Sequence, residues 1–195
     1  MDRKQLLFLT IVFEGGIALS ALILGMLFET VVFRGSLFSI QTITGSILVS
    51  LPLFAGIVLV YRFQWPPLMQ FKEDVNKMVH ELFRQTTIID LAIISMFAGI
   101  GEELFFRGFL QSTLINITNP WAAVALSSII FGFAHFISWT YVIYATGVGI
   151  YLGVVFLVFD NIYIVMLAHA LYDFVVLAYL VCYKPAVQDV SFDQD

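Results

Sequence analysis

Charge is scarce in this sequence. Nine Lys and Arg with fourteen Asp and Glu make up 12% of 195 residues, where soluble globular domains carry about 25%. With 61% hydrophobic residues and a mean hydropathy of +0.96, there is more apolar surface than one water-solvated core could bury. Lipid is therefore the expected solvent for much of it. The net charge of −5 says little about partners, because three of the acids follow Lys184 in the tail and several others sit inside apolar stretches. Nucleic-acid binding has no support. Cysteine is nearly absent: Cys182 stands alone, which excludes an intramolecular disulfide framework and any multi-thiolate metal site. It reads as a helix-packing residue, with palmitoylation the alternative. There is no HExxH zinc helix, internal repeat, low-complexity tract or sign of a second domain, so 1–195 reads as a single membrane-embedded domain.

What the chain has instead is long uncharged runs. A helix needs about 20 apolar residues, at a rise of about 1.5 Å each, to cross a hydrocarbon core. Six stretches qualify, near 6–28, 43–61, 88–112, 120–137, 139–159 and 162–182. The expected fold is all-α, a polytopic transmembrane bundle of about six spans. The first run is too long for a signal-peptide h-region and is expected to be retained. After Trp65-Pro66-Pro67, apolar Leu68, Phe71, Val75, Met78, Val79, Leu82 and Phe83 recur at helical spacing opposite Lys72, Glu73, Asp74, Lys77 and Glu81. That pattern predicts an amphipathic helix lying in the membrane interface. Arg62, Lys72, Lys77 and Arg84 cluster in this segment, which makes it cytoplasmic by the positive-inside rule and puts both termini, with Arg3, Lys4 and Lys184, on the same side. Asn119-Pro120 and Asp160-Asn161 mark short turns. Ala145, Gly149 and Gly153, four apart, let the fifth span approach a neighbour closely.

Against this background several ionisable residues stand out, since a charge at the centre of a spanning helix costs about 2.5–3.5 kcal/mol on insertion scales. They are Glu14, then Asp90, Glu102, Glu103 and Arg107, then His135, then His169 and Asp173. Residues four apart share a helix face, so Glu103 pairs with Arg107 and His169 stacks on Asp173, while Phe131 lies one turn before His135. Glu102 is about 100° around the helix from Glu103. The two carboxylates are therefore expected to face different partners, with Glu103 tied to Arg107 and Glu102 available for chemistry. A structural clamp and a direct catalytic role are both open to the Glu103–Arg107 pair. Glu14 has no matched partner and reads as packing or water-facing. A carboxylate, two histidines and a further carboxylate on three spans are costly to keep for packing alone.

These residues form recognisable motifs. Glu102-Glu103-Leu104-Phe105-Phe106-Arg107 fits EExxxR, Phe131 to His135 fits FxxxH, and His169 to Asp173 is a histidine followed four residues later by Asp. In this order on successive spans they resemble the CPBP family, the CAAX proteases and bacteriocin-processing enzymes also called Abi. The likeness covers roughly 88–178, with a catalytic-motif core over 88–182. It implies an intramembrane endopeptidase of the type II CAAX kind, acting on a peptide or protein substrate at the membrane and located in a bacterial cell membrane. In that reading Glu102 and His135 activate a water, His169 and Asp173 stabilise the oxyanion, Glu103 and Arg107 complete the motif set, and no cofactor is expected. The family's third motif ends in Asn or Asp, and its best-studied enzymes have Asn where this sequence has Asp173. An ionised Asp offers no donor, so Asp173 either carries a proton and donates to the oxyanion, the favoured role, or orients His169. The same residues make three other readings possible: a zinc metalloprotease with Glu, His, His and Asp as ligands, a non-catalytic bacteriocin-immunity protein, or a proton-relaying transporter. Substrate identity and oligomeric state are not legible.

Overall fold

The computed structural model describes residues 2–182, and among them all regular structure is helical. The elements are α1 (Arg3–Leu27), α2 (Ile40–Arg62), α3 (Pro66–Phe83), α4 (Ile88–Glu103), a π-helix (Leu104–Gln111), α5 (Ser112–Ile117), α6 (Pro120–Ala134), α7 (Trp139–Phe159) and α8 (Ile162–Cys182). Side-chain caps begin most of them. Asp2 and Thr87 form capping boxes with Gln5 and Asp90, and the side chains of Ser39, Asn119 and Ser138 accept the orphan amides of α2, α6 and α7. Pro120 takes the first turn of α6, where its missing N–H has no intrahelical partner to lose.

Helices α1, α2, α7 and α8 are long and apolar enough to cross a membrane. The run predicted to end near 112 continues without a break through the π-helix and α5 to Ile117. The fourth predicted span, by contrast, stops at Ala134, because His135 is its C-cap rather than part of its interior. The outer surface is the one lipid requires: Phe8 and Phe13 of α1 are 65% and 67% exposed, a density of apolar side chains that water would not tolerate.

Helix α8 lies at the centre, packed against α2 and α4. Gly45 meets Ile164, and the side chain of Asn161 donates to Thr42, so α2 and α8 begin at one end of the bundle. Gly99, late in α4, lies against Met166 and Ala170, and Val79, in α3 just before α4, packs with Leu180 near the end of α8, so α4 runs antiparallel to α8. At the end where α2 and α8 begin, Arg34 pairs with Asp160 at 3.0 Å and its carbonyl accepts from the Ile162 amide. At the end where α4 begins, Arg3 forks onto Asp90 with bonds of 2.6 and 2.9 Å. The amphipathic segment forms α3 as expected, but its apolar face meets protein: Phe71, Val75 and Val79 pack on Leu180 of α8 and on Tyr141 and Tyr144 of α7. Cys182, read as a packing residue, is exposed instead. Lys184 and the acids after it lie outside the described residues.

Candidate active site

The site is built on the junction of α4 with the π-helix. A Cβ on Gly99 would stand 2.7 Å from the Met166 carbonyl oxygen and 2.8 Å from the Ala170 amide, closer than real contacts allow. Glycine there brings α4 onto the backbone of α8. One turn further along α4, the Glu103 carboxylate consequently reaches His169, with Oε1 accepting from Nδ1 at 2.8 Å. The same oxygen accepts from Arg107 Nη1 at 3.1 Å, and both Glu103 and Arg107 are wholly buried. Glu103 is thus more than the expected clamp, since it also orients His169.

Arg107 spends a second donor on the Gly149 carbonyl oxygen at 3.0 Å, and its guanidinium lies 4.6 Å from the centre of the Phe131 ring. One turn on, Gln111 repeats the arrangement with the Gly153 carbonyl at 3.0 Å. The glycine spacing read as close packing therefore has a chemical content: two polar side chains four apart bond two carbonyls four apart. Gln111, wholly buried, was not singled out from the sequence. Its spacing from Arg107, equal to that of Gly153 from Gly149, is the signal that could have found it.

Two histidines face the remaining carboxylate. His135 Nδ1 lies 2.9 Å from the Phe131 carbonyl oxygen, which can only accept, so Nδ1 carries the proton and Nε2 faces the site. Glu102 Oε2 is 3.4 Å from His135 Nε2 and 3.9 Å from His169 Nε2. It is buried without a protein hydrogen-bond partner. Asp173 Oδ2 is 3.4 Å from His169 Nε2. The expectation that Glu102 and Glu103 face different partners is corrected: both approach His169, from opposite edges of the ring. An angular argument along one helix treats a partner as a point, whereas an imidazole presents two nitrogens.

The position of His135 follows from the length of its helix. Fifteen residues of α6 span about 22 Å, and its C-cap His135 ends beside Glu102, with Nε2 3.4 Å from Oε2. Phe131 joins the parts, its ring centre 4.4 Å from that of His135 and 5.0 Å from that of Phe106. The structure thus gathers Glu102, Glu103, Arg107, His135, His169 and Asp173 into one cluster. Glu14 of α1 is also there, buried against Gly101. Asp90 is not, being held by Arg3 at the bundle end. Such an arrangement offers an acceptor for a proton, a second basic nitrogen beside it, and an imidazole whose free nitrogen faces the same space. Among the described residues, no three His, Cys, Asp or Glu side chains converge with the geometry of a metal centre.

Residues 84–175, just under half of the chain, match the family model described as type II CAAX prenyl endopeptidase Rce1-like. All three motifs lie inside this stretch, so the resemblance read from the sequence is matched over the region that carries the site. No curated protein and no solved structure matches the chain significantly.

Proposed function

We propose that this protein is an intramembrane endopeptidase that hydrolyses a peptide bond of a membrane-associated substrate with a water activated by Glu102 and His135. The observation that carries this reading is the Glu102 carboxylate: Oε2 is buried, flanked by Nε2 of two histidines at 3.4 and 3.9 Å, and without a hydrogen-bond partner in the protein. A buried acceptor left open in this way is costly unless a ligand fills it. A water within reach of both Glu102 and His135 would complete that oxygen, and the adjacent Glu103 is already committed through Oε1 to Arg107 and His169.

In this mechanism Glu102 takes a proton from the water as its oxygen bonds to the peptide carbonyl carbon. The carbonyl π pair moves onto oxygen, giving a tetrahedral oxyanion. His169 meets that charge as an imidazolium, with Nδ1–H held by Glu103 Oε1 and Nε2–H directed at the site; a donor aimed at an oxyanion contributes about 3–4 kcal/mol. Asp173, with Oδ2 3.4 Å from His169 Nε2, adds a second donor in its acid form only. Collapse of the intermediate breaks the C–N bond, and the departing amine takes the proton from Glu102, leaving one carboxylic acid and one amine for each water consumed. The reading assigns no step to a metal. It also takes the helical run 88–117 and α6 as crossings alongside α1, α2, α7 and α8, which makes six in all with both termini on the cytoplasmic side, in line with the basic residues around α3.

The test is a comparison of wild type with Glu102→Gln, by mass spectrometry of peptides from host membranes and medium and by cleavage in proteoliposomes with and without chelator. Peptides made by wild type and missing in the variant, with cleavage unaffected by chelation, support the proposal. Cleavage that survives Glu102→Gln refutes it, and cleavage lost on chelation moves the same residues to the zinc reading.

A further inference from the structure

One buried acid has no part in the mechanism above. Glu14 sits in the middle of α1, 9% exposed, and its Oε2 has no hydrogen-bond partner. It is seated by a glycine: a Cβ on Gly101 would stand 2.7 Å from the Glu14 carbonyl oxygen and 3.0 Å from Oε2. The carboxylate thus lies against the backbone of the residue that precedes Glu102. Its electrostatic neighbours are Glu102 of α4, His135 at the end of α6, and His169 and Asp173 of α8. The cation of the central cluster, Arg107 of the π-helix, is spent on Glu103 and Gly149. A packing residue at this place would be apolar, because an acid without a partner inside a helix bundle destabilises it.

We propose that Glu14 is a positioning residue of the hydrolytic site, its open oxygen accepting the second hydrogen of the water that Glu102 deprotonates. A nucleophilic water has two hydrogens, and it aims a lone pair at the carbonyl only when both are held. Glu102 takes one, and Glu14 on the facing helix holds the other. The inference rests on the endopeptidase reading and adds α1 to the catalytic unit.

The test uses the full-length protein in lipid nanodiscs. The kinetic probe is a quenched-fluorescent peptide ending in a prenylated Cys-aliphatic-aliphatic-X sequence. Glu14→Met keeps volume and removes the acceptor. It is expected to lower kcat about a hundredfold, as for loss of a group that handles the water proton, with KM unchanged and a Tm no lower than wild type. Glu14→Gln keeps an acceptor and is expected to stay within about tenfold of wild type. Wild-type kcat in Glu14→Met, or equal losses in the two variants, overturns the inference. An independent arm decides the matter whether or not that peptide is cut. In a Cys182→Ala background, the thiol of Glu14→Cys should react with a charged methanethiosulfonate as that of Glu102→Cys does, while the thiol of Phe13→Cys, on the lipid face, should not. An unreactive thiol in Glu14→Cys overturns the inference. If the thiol in Glu102→Cys is unreactive too, the hydrolytic reading fails with it.

Discussion

Of the charge clusters among the described residues, the one at the start of α4 and the one at the centre are finished to different degrees. At one end Arg3 forks onto Asp90 with bonds of 2.6 and 2.9 Å, and Thr87 donates to the same carboxylate from its amide and its hydroxyl at 2.7 and 2.8 Å. Both Asp90 oxygens are thereby satisfied. In the middle, Glu14, Glu102 and Glu103 each keep an oxygen that is buried and unbonded. Saturated carboxylates stabilise a fold, whereas open ones destabilise it and persist where a ligand completes them. The adjacent glutamates differ in degree: Glu103 Oε1 accepts from both Arg107 and His169 at 3.1 and 2.8 Å, whereas Glu102 Oε2 has only the looser approaches of two histidines at 3.4 and 3.9 Å.

The largest effect is expected at the Glu103–Arg107 pair of the central cluster. Arg107→Ala strands Glu103 among wholly buried neighbours and frees the Gly149 carbonyl, and loss of one partner of a buried pair typically costs about 3–5 kcal/mol. The expected outcome is a sharply lower Tm and poor yield in detergent; a variant as stable as wild type would remove the clamp from the account. His135→Ala touches the open side. Its turnover should fall by about a hundredfold or more while Tm stays near wild type, and added zinc should not restore it.

Asp173→Asn sharpens the contrast further. It places an obligate donor of nearly the same shape beside His169 Nε2. If the acid serves the oxyanion as a protonated donor, activity is expected to stay within about tenfold of wild type, since donor geometry is kept, and its decline at high pH should weaken. A folded variant inactive at every pH would assign Asp173 to orienting His169 instead. The smallest effect is expected at the bundle end. Arg3 is half exposed, so Arg3→Gln should lower Tm slightly and leave kcat unchanged.

Much of this was legible in the sequence, and the parts that were not share a cause. The apolar runs gave the helices, and spacing by four gave Glu103 with Arg107 and His169 with Asp173, because those pairs lie within one helix. The bond from Glu103 to His169 joins α4 to α8, and it depends on Gly99 allowing the two backbones to meet, which no spacing along either helix reveals. Gln111 and Glu14 were missed or left undecided for the same reason: their partners, Gly153 and Gly101, lie on other helices. The early stop of α6 follows from His135 acting as a C-cap, a local feature that hydropathy alone does not resolve.

The account stands or falls on the division of labour between two neighbouring glutamates, and one paired measurement tests it: kcat and Tm of Glu102→Gln and Glu103→Gln on the same substrate peptide. The prediction is that Glu102→Gln loses turnover and keeps or gains Tm, since an unpaired buried charge has been removed, whereas Glu103→Gln loses Tm because Arg107 and His169 are left without their shared carboxylate. Turnover in Glu102→Gln, or a fall in Tm there with none in Glu103→Gln, would contradict it.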